Sequence, residues 1–281
     1  MTPRTYHAPA KLNLSLRVLG QRNDGFHEID TLMVQLPGLS DLLEFQEAYQ
    51  FSFTCDDPGV PSDERNLVVQ AVKSFDAATS LTSSVSISLK KKIPHGAGLG
   101  GGSSDAATTL LAINAFHSFP LNPSELSRLA ASLGSDVPFF LSRGASRCTG
   151  RGEIIQPVPP PPAFSVLLLK PNFSVPTADA YGKYQKSTEI PGVSYAPQFL
   201  DGVALVNDLE RPVFEKYRYL AELKEWLRSR QEVRAALMSG SGSTVFAILH
   251  PPSDTATLVK SAHHEIDPHL WHWSGITGED C

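Results

Sequence analysis

The chain has 281 residues, 41% hydrophobic and 19% charged, a globular mix long enough for one large or two ordinary domains. Its 29 acidic and 24 basic residues leave a formal charge of −5, which argues against a chain built to coat nucleic acid and points to a small-molecule partner. No apolar run approaches the roughly 18 to 20 residues of a membrane span, and patterned sequence begins by Ala8, so neither a membrane segment nor a signal or transit peptide is expected.

Leu12, Leu14, Leu16 and Val18 alternate with polar residues and predict a strand, closed by a turn through 20–25. Further strand is expected over 32–36 and 43–53. Leu67, Val68, Ala71, Val72 and Phe75 stand at helical spacing, with Asn66 placed to cap the helix. A strand over 84–89 then runs into Lys90-Lys91-Lys92, Ile93, Pro94 and a glycine cluster, and a helix apolar on most sides should start near Ser103. Asn122, Pro123 and Glu125 open another helix that should stop at Gly134.

The proline run over 157–162 cannot continue a helix or a central strand, which divides the chain into residues 1–156 and 157–281. Beyond it the pattern predicts strands over 165–170 and 244–249, helices over 178–184, 214–228 and 254–264, and a terminal strand in which Trp271 and Trp273 alternate with His272. The fold class is α+β.

The strongest chemical signal is Gly96-Ala97-Gly98-Leu99-Gly100-Gly101-Gly102-Ser103-Ser104, set between a strand and a buried helix. Glycines let several backbone N–H groups point into one concavity, and a helix N-terminus adds positive partial charge, so the stretch reads as a phosphate cradle. It is not a Walker loop, because no lysine precedes a terminal Ser or Thr. A dinucleotide fold would need a second strand ending in an acidic residue about 20 positions on, where this chain predicts helix after helix. The protein-kinase tripeptides H-R-D and D-F-G are absent.

Pro94, Gly98-Leu99-Gly100, Ser103-Ser104 and Ala106-Ala107 together resemble the ATP loop of the GHMP kinases, the superfamily of galactokinase, homoserine kinase and mevalonate kinase. Ala8-Pro9-Ala10-Lys11-Leu12-Asn13-Leu14 and Met238-Ser239-Gly240-Ser241-Gly242-Ser243-Thr244 match in order. The three glycines between Leu99 and Ser103, with Asp105 where alanine is usual, look like the diphosphocytidyl-methylerythritol kinase branch. So do Gly20-Gln21-Arg22, Asp24-Gly25-Phe26-His27-Glu28, Gly134-Ser135-Asp136-Val137-Pro138-Phe139-Phe140, Ser174-Val175-Pro176-Thr177 and Asn207-Asp208-Leu209-Glu210. The resemblance implies a ribosomal-protein-S5-like N-terminal domain joined to a ferredoxin-like C-terminal domain, with the active site between them. The implied activity is ATP-dependent phosphorylation of the 2-hydroxyl of 4-diphosphocytidyl-2-C-methylerythritol, in the non-mevalonate isoprenoid route.

By the same resemblance Asp136 takes the proton of the acceptor hydroxyl, and Lys11 holds it ionised. On the residues alone Asp136 could equally cap the next helix. The loop from Pro94, His95 and Gly96 through Ser104 is expected to hold ATP, with Asn66 near adenine. Magnesium should neutralise the phosphates, Ser104 offering the nearest hydroxyl. Asn13 and Thr177 are expected to bind the substrate; Phe26 and Tyr181 to stack on the cytosine; and His27 to bond its edge. Lys91 and Lys92 read more simply as a solvated face. Cys55, Cys148 and Cys281 fit neither a disulfide framework nor a zinc site, and a reducing cytoplasm is the expected setting.

Overall fold

The computed structural model describes residues 3–278, so Cys281 lies outside the described residues. Strands β1 (Arg4–Gln21) and β2 (His27–Glu47) form a long antiparallel hairpin whose register runs from Arg4↔Phe45 to Gln21↔His27. Pro37 and Gly38 break the alternation, yet β2 continues through them. The register slips from Pro9↔Ser40 to Ala10↔Leu36, and this bulge absorbs the irregular residues. A second slip between Asn13 and Ser15 leaves Lys11 and Asn13 flanked by bulges on both sides.

Strand β3 (Ser52–Cys55) pairs with β4 (Val85–Lys90), which pairs with β2; β5 (Ala145–Gly150) and β6 (Ile154–Val158) branch from β2. Residues 48–51, expected to be strand, lie outside it. Helices α1 (Leu67–Thr79), α2 (Gly101–Phe116) and α3 (Pro123–Leu133) share one core with this sheet, in which Phe75, Leu110, Ile113 and Leu126 meet Leu43 and Ile87. The expected capping box of α3 is present, with Asn122 accepting from the Glu125 N–H and Glu125 from the Asn122 N–H. Helix α2 begins at Gly101 rather than Ser103, because Gly100 takes a left-handed φ of 73° and serves as its N-cap.

The remaining elements are β7 (Ser165–Lys170), α4 (Thr177–Gly182), β8 (Gln198–Leu200), β9 (Val203–Asn207), α5 (Glu210–Lys216), α6 (Arg218–Arg228), β10 (Val233–Met238), β11 (Val245–Leu249), α7 (Thr255–Glu265) and β12 (Trp271–Ile276). Their main sheet has the order β10-β11-β7-β12 with every pair antiparallel, which is the βαββαβ plan of a ferredoxin-like domain. The single helix expected over 214–228 is broken at Tyr217, whose φ of −116° and ψ of 68° leave the helical region. Strand β9 returns to the first sheet and pairs in parallel with β1 at Ser15↔Val206.

Alternation along β7 joins the halves. Leu167 and Leu169 enter a core with Phe214, Leu220 and Leu223, while Val166 and Leu168 enter another with Leu12, Leu14 and Leu36 of the first sheet. No described helix is long and apolar enough to cross a membrane.

Candidate active site

Above that shared core β1, the glycine loop, the turn after α3 and the 238–244 turn converge on a cavity of about 790 Å³. Lys11 and Asn13 project from one face of β1, two residues apart, each 3% exposed. The Lys11 ammonium donates to Asn13 Oδ1 at 2.5 Å and to the Gly98 carbonyl at 2.9 Å, and lies 3.7 Å from Asp136 Oδ2. Asn13 in turn donates to Thr31 Oγ1 at 2.8 Å, so it orients the lysine as well as lining the cavity. Burial lowers the Lys11 pKa from the ordinary lysine value, and the neighbouring Asp136 opposes that shift.

Asp136 follows the end of α3 at Gly134. It does not cap the next turn: the short helical segment Pro138–Leu141 has Val137 as its N-cap and no side-chain cap bond. The carboxylate instead stays partly exposed on the cavity wall beside Lys11.

Two glycine turns meet edge to edge. The Lys11 N–H donates to the Leu99 carbonyl at 2.9 Å, the Thr244 N–H to Ala97 at 3.1 Å, and Ser239 Oγ to Gly98 at 3.1 Å. Gly98 has φ of 75°, and a Cβ there would lie 2.2 Å from the Ser239 carbonyl oxygen. At Gly100 a Cβ would lie 2.8 Å from Phe140 Cζ and 2.9 Å from Lys11 Cγ. Glycine at these positions therefore serves the chain's own close packing, in addition to any approach by phosphate. No side chain caps α2, so its first N–H groups remain available to an anion.

Pro94, His95 and residues 96–103 line the cavity. Ser104 does not: it is fully buried, and its Oγ has no hydrogen-bond partner. Asn66 lines the wall and caps α1, accepting from the Val68 N–H at 2.9 Å and donating to the Pro61 carbonyl at 2.7 Å. Lys91 is not a solvated residue. It is buried between Asp41 and Asp105, bonding Asp105 Oδ2 at 2.8 Å, and Asp41 also accepts from the Lys92 and Ile93 N–H groups at 2.6 and 2.8 Å. Asp105 accepts from Lys91 through Oδ2 and leaves Oδ1 without a partner, and burial pushes its pKa up to about 7.

The opposite end of the cavity is aromatic. Phe26 stands at the tip of the β1–β2 hairpin, 51% exposed rather than in the core. The His27 ring lies against Tyr181 with centroids 5.4 Å apart and planes 30° inclined. Thr177 Oγ1 is 3.1 Å from Ser241 Oγ. Thr31, Arg151, Gly240 and Ser241 also line the cavity and were not expected there. The glycine-serine alternation of the 238–244 turn was a signal for Gly240 and Ser241; a lone arginine and a lone threonine carried none. Cys148 is buried behind Lys11, its thiol pushed up to about 12 by burial, which makes it an inert core residue.

The profiles of the GHMP kinases N terminal domain and the GHMP kinases C terminal domain match residues 66–144 and 198–265. The chain is 40% identical over 275 residues to the 4-diphosphocytidyl-2-C-methyl-D-erythritol kinase of Methylacidiphilum infernorum, covering 94% of this chain and 93% of that one. It is 39% identical to the chloroplastic enzyme of that name from Mentha piperita, covering 88% of this chain and spanning 64% of that protein's length. A crystal structure of 4-(cytidine 5'-diphospho)-2C-methyl-D-erythritol kinase superposes with a TM-score of 0.80 at 32% identity, covering 99% of this chain and 100% of the other. Similarity of this extent, joined to both domain matches, means that the chain belongs to the 4-diphosphocytidyl-2-C-methyl-D-erythritol kinases of the GHMP kinase superfamily.

Proposed function

We propose that the chain transfers the γ-phosphoryl group of ATP to the 2-hydroxyl of 4-diphosphocytidyl-2-C-methyl-D-erythritol, forming the 2-phosphate and ADP. The observation that carries this reading is the Lys11–Asp136 pair, 3.7 Å apart, in one cavity with the open N-terminus of α2 and with Phe26, His27 and Tyr181.

In this scheme the loop from Pro94 to Ser103 and the α2 N-terminus hold the ATP phosphates, with Asn66 shaping the adenine side. The acceptor hydroxyl approaches Asp136, which takes its proton as the oxygen–phosphorus bond forms, while the bond from phosphorus to the ADP oxygen breaks. Lys11, held by Asn13 and Gly98 and 3.7 Å from Asp136, offsets charge on the transferring group. Thr177 and Asn13 contact the alcohol, and the aromatic end receives the cytosine.

Magnesium bound with ATP would neutralise phosphate charge. Among the described residues no group of three or more His, Cys, Asp and Glu side chains could hold a metal, so the phosphates themselves would be its main ligands. The chain offers the Ser103 hydroxyl on the cavity wall and Asp105, whose Oδ1 has no partner, whereas the expected Ser104 Oγ is buried behind that wall. The Ser103 and Asp105 oxygens suit a hard, oxygen-liganded cation. ATP turnover with the cytidine-linked alcohol, homoserine and mevalonate side by side tests the reading: selective turnover of the first supports it, and preference for either other alcohol overturns it.

A further inference from the structure

Between the aromatic platform and the Lys11–Asp136 pair runs one tight turn, residues 150–153, that joins β5 to β6. We infer that Arg151, at the centre of this turn, binds the diphosphate of the nucleotide-linked alcohol, an inference that rests on the proposed function.

The Arg151 guanidinium carbon lies 4.7 Å from the centroid of the Phe26 ring. The next residue reaches the other end of the site, since a Cβ on Gly152 would lie 3.8 Å from Asp136 Oδ1. A single residue step thus connects the base platform to the carboxylate that faces the hydroxyl. A substrate with cytidine at one end and the alcohol at the other must lay its two linking phosphates across this step.

The turn is built rigidly. Gly150 and Gly152 have φ of 72° and 112°, values that disfavour any side chain on either side of the arginine. The Gly150 N–H donates to Glu28 Oε1 at 3.1 Å, which ties the turn to the root of the Phe26 hairpin, and the Arg151 N–H donates to Glu153 Oε2 at 2.6 Å.

Charge makes the same assignment. Asp24, Glu28, Glu153 and Asp136 surround this end, and a diphosphate placed among them without a cation would be repelled. Arg22 is committed to Asp24 and Glu28 at 3.2 and 2.6 Å, and Lys11 to Asn13, Gly98 and Asp136. Arg151 lines the cavity, and its ion pair to Glu153 is long at 3.5 Å. A guanidinium over the Phe26 ring, 4.7 Å from its centroid, keeps N–H groups to offer, in a fork that matches phosphate oxygens.

The test titrates cytidine, CMP and CDP calorimetrically into wild type, Arg151→Gln and Arg151→Lys, with the ATP site saturated by a non-hydrolysable ATP analogue. Wild type should bind CDP more tightly than cytidine. Arg151→Gln should lose about tenfold of that preference, with cytidine affinity little changed and Arg151→Lys intermediate, because a lysine keeps the charge but not the fork. KM for the cytidine-linked alcohol should rise by about the same factor while KM for ATP stays put. In wild type, added salt should weaken CDP binding more than cytidine binding, a measurement that needs no variant. An equal CDP-to-cytidine ratio in wild type and Arg151→Gln, or equal salt dependence of the two ligands, overturns the role of Arg151. Failure of wild type to phosphorylate the cytidine-linked alcohol overturns the proposed function instead.

Discussion

Lys11 and Asp136 form an ion pair of unequal partners: the ammonium side is 4% exposed and the carboxylate side 36%, at a separation of 3.7 Å. The lysine pays the larger desolvation penalty, and the carboxylate, nearer to solvent, is the member that an incoming hydroxyl can reach. Removing either partner leaves the other in the wrong electrostatic setting.

Asp136→Asn should therefore fold normally, since the residue caps no helix, and lose about 10² to 10⁴ in kcat. Lys11→Met should also lose rate, and the double variant should fall far short of the summed effects if the two act as one unit. Steady-state kinetics on variants that melt like wild type provide the check. A kcat for Asp136→Asn within about threefold of wild type would mean the carboxylate is structural.

Gly100→Ala should lower stability by about 1 to 3 kcal/mol, because the added carbon meets Phe140 and Lys11 below 3 Å at a φ of 73°. Displacement of Lys11 should reduce kcat more than it raises KM for ATP. Gly102→Ala is the control: its Cβ would meet only Leu67 Cδ1 at 3.7 Å, so it should melt at or slightly above the wild-type temperature. Equal melting of both variants would remove the steric account of Gly100.

Asp105 makes stability depend on pH in a stated direction. Its pKa is raised by burial from 3.8 to about 7, so across that window the folded chain binds more protons than the unfolded one. The stabilisation is fully present below the unfolded value and is lost as pH rises through the folded one. Asn cannot titrate, so the unfolding free energy of wild type should fall relative to Asp105→Asn from about pH 4 to about pH 7, and the difference should then level off. Denaturant midpoints of both proteins over that range decide it, and parallel curves would sink the prediction.

Phe26→Ala should raise KM for the cytidine-linked alcohol, with base stacking worth about 1 to 3 kcal/mol, and leave KM for ATP nearly unchanged. The melting temperature should also hold, because Phe26 is 51% exposed and Arg151 lies over its ring. Lost thermal stability with both KM values intact would make Phe26 a packing residue.

Much of this protein is written locally. The alternation at Leu12, Leu14 and Leu16, the Asn122–Glu125 capping box and the glycine run are each legible within a few residues of sequence, and the first strand, α3 and the glycine loop before α2 form where those patterns lie. Other elements carry no such record. Strand β9 is five residues long and is stabilised by pairing with β1 across the chain, and Ala235 and Ala236 give β10 little strand preference of its own. Pro37 and Gly38 read as a break because only the opposing slip at Pro9 and Ala10 reveals the bulge that carries β2 through them. The site divides in the same way. Sequence by itself determined that Lys11, Asp136, Phe26 and the two glycine turns were chemical candidates, because residue type and flanking motif suffice for that. Only tertiary structure decided that Lys91 is locked between two carboxylates, that Ser104 lies behind the cavity wall, and that Arg151 covers Phe26. Burial and charge partnership depend on distances between residues far apart in the chain, and those distances exist only once the two sheets share a core.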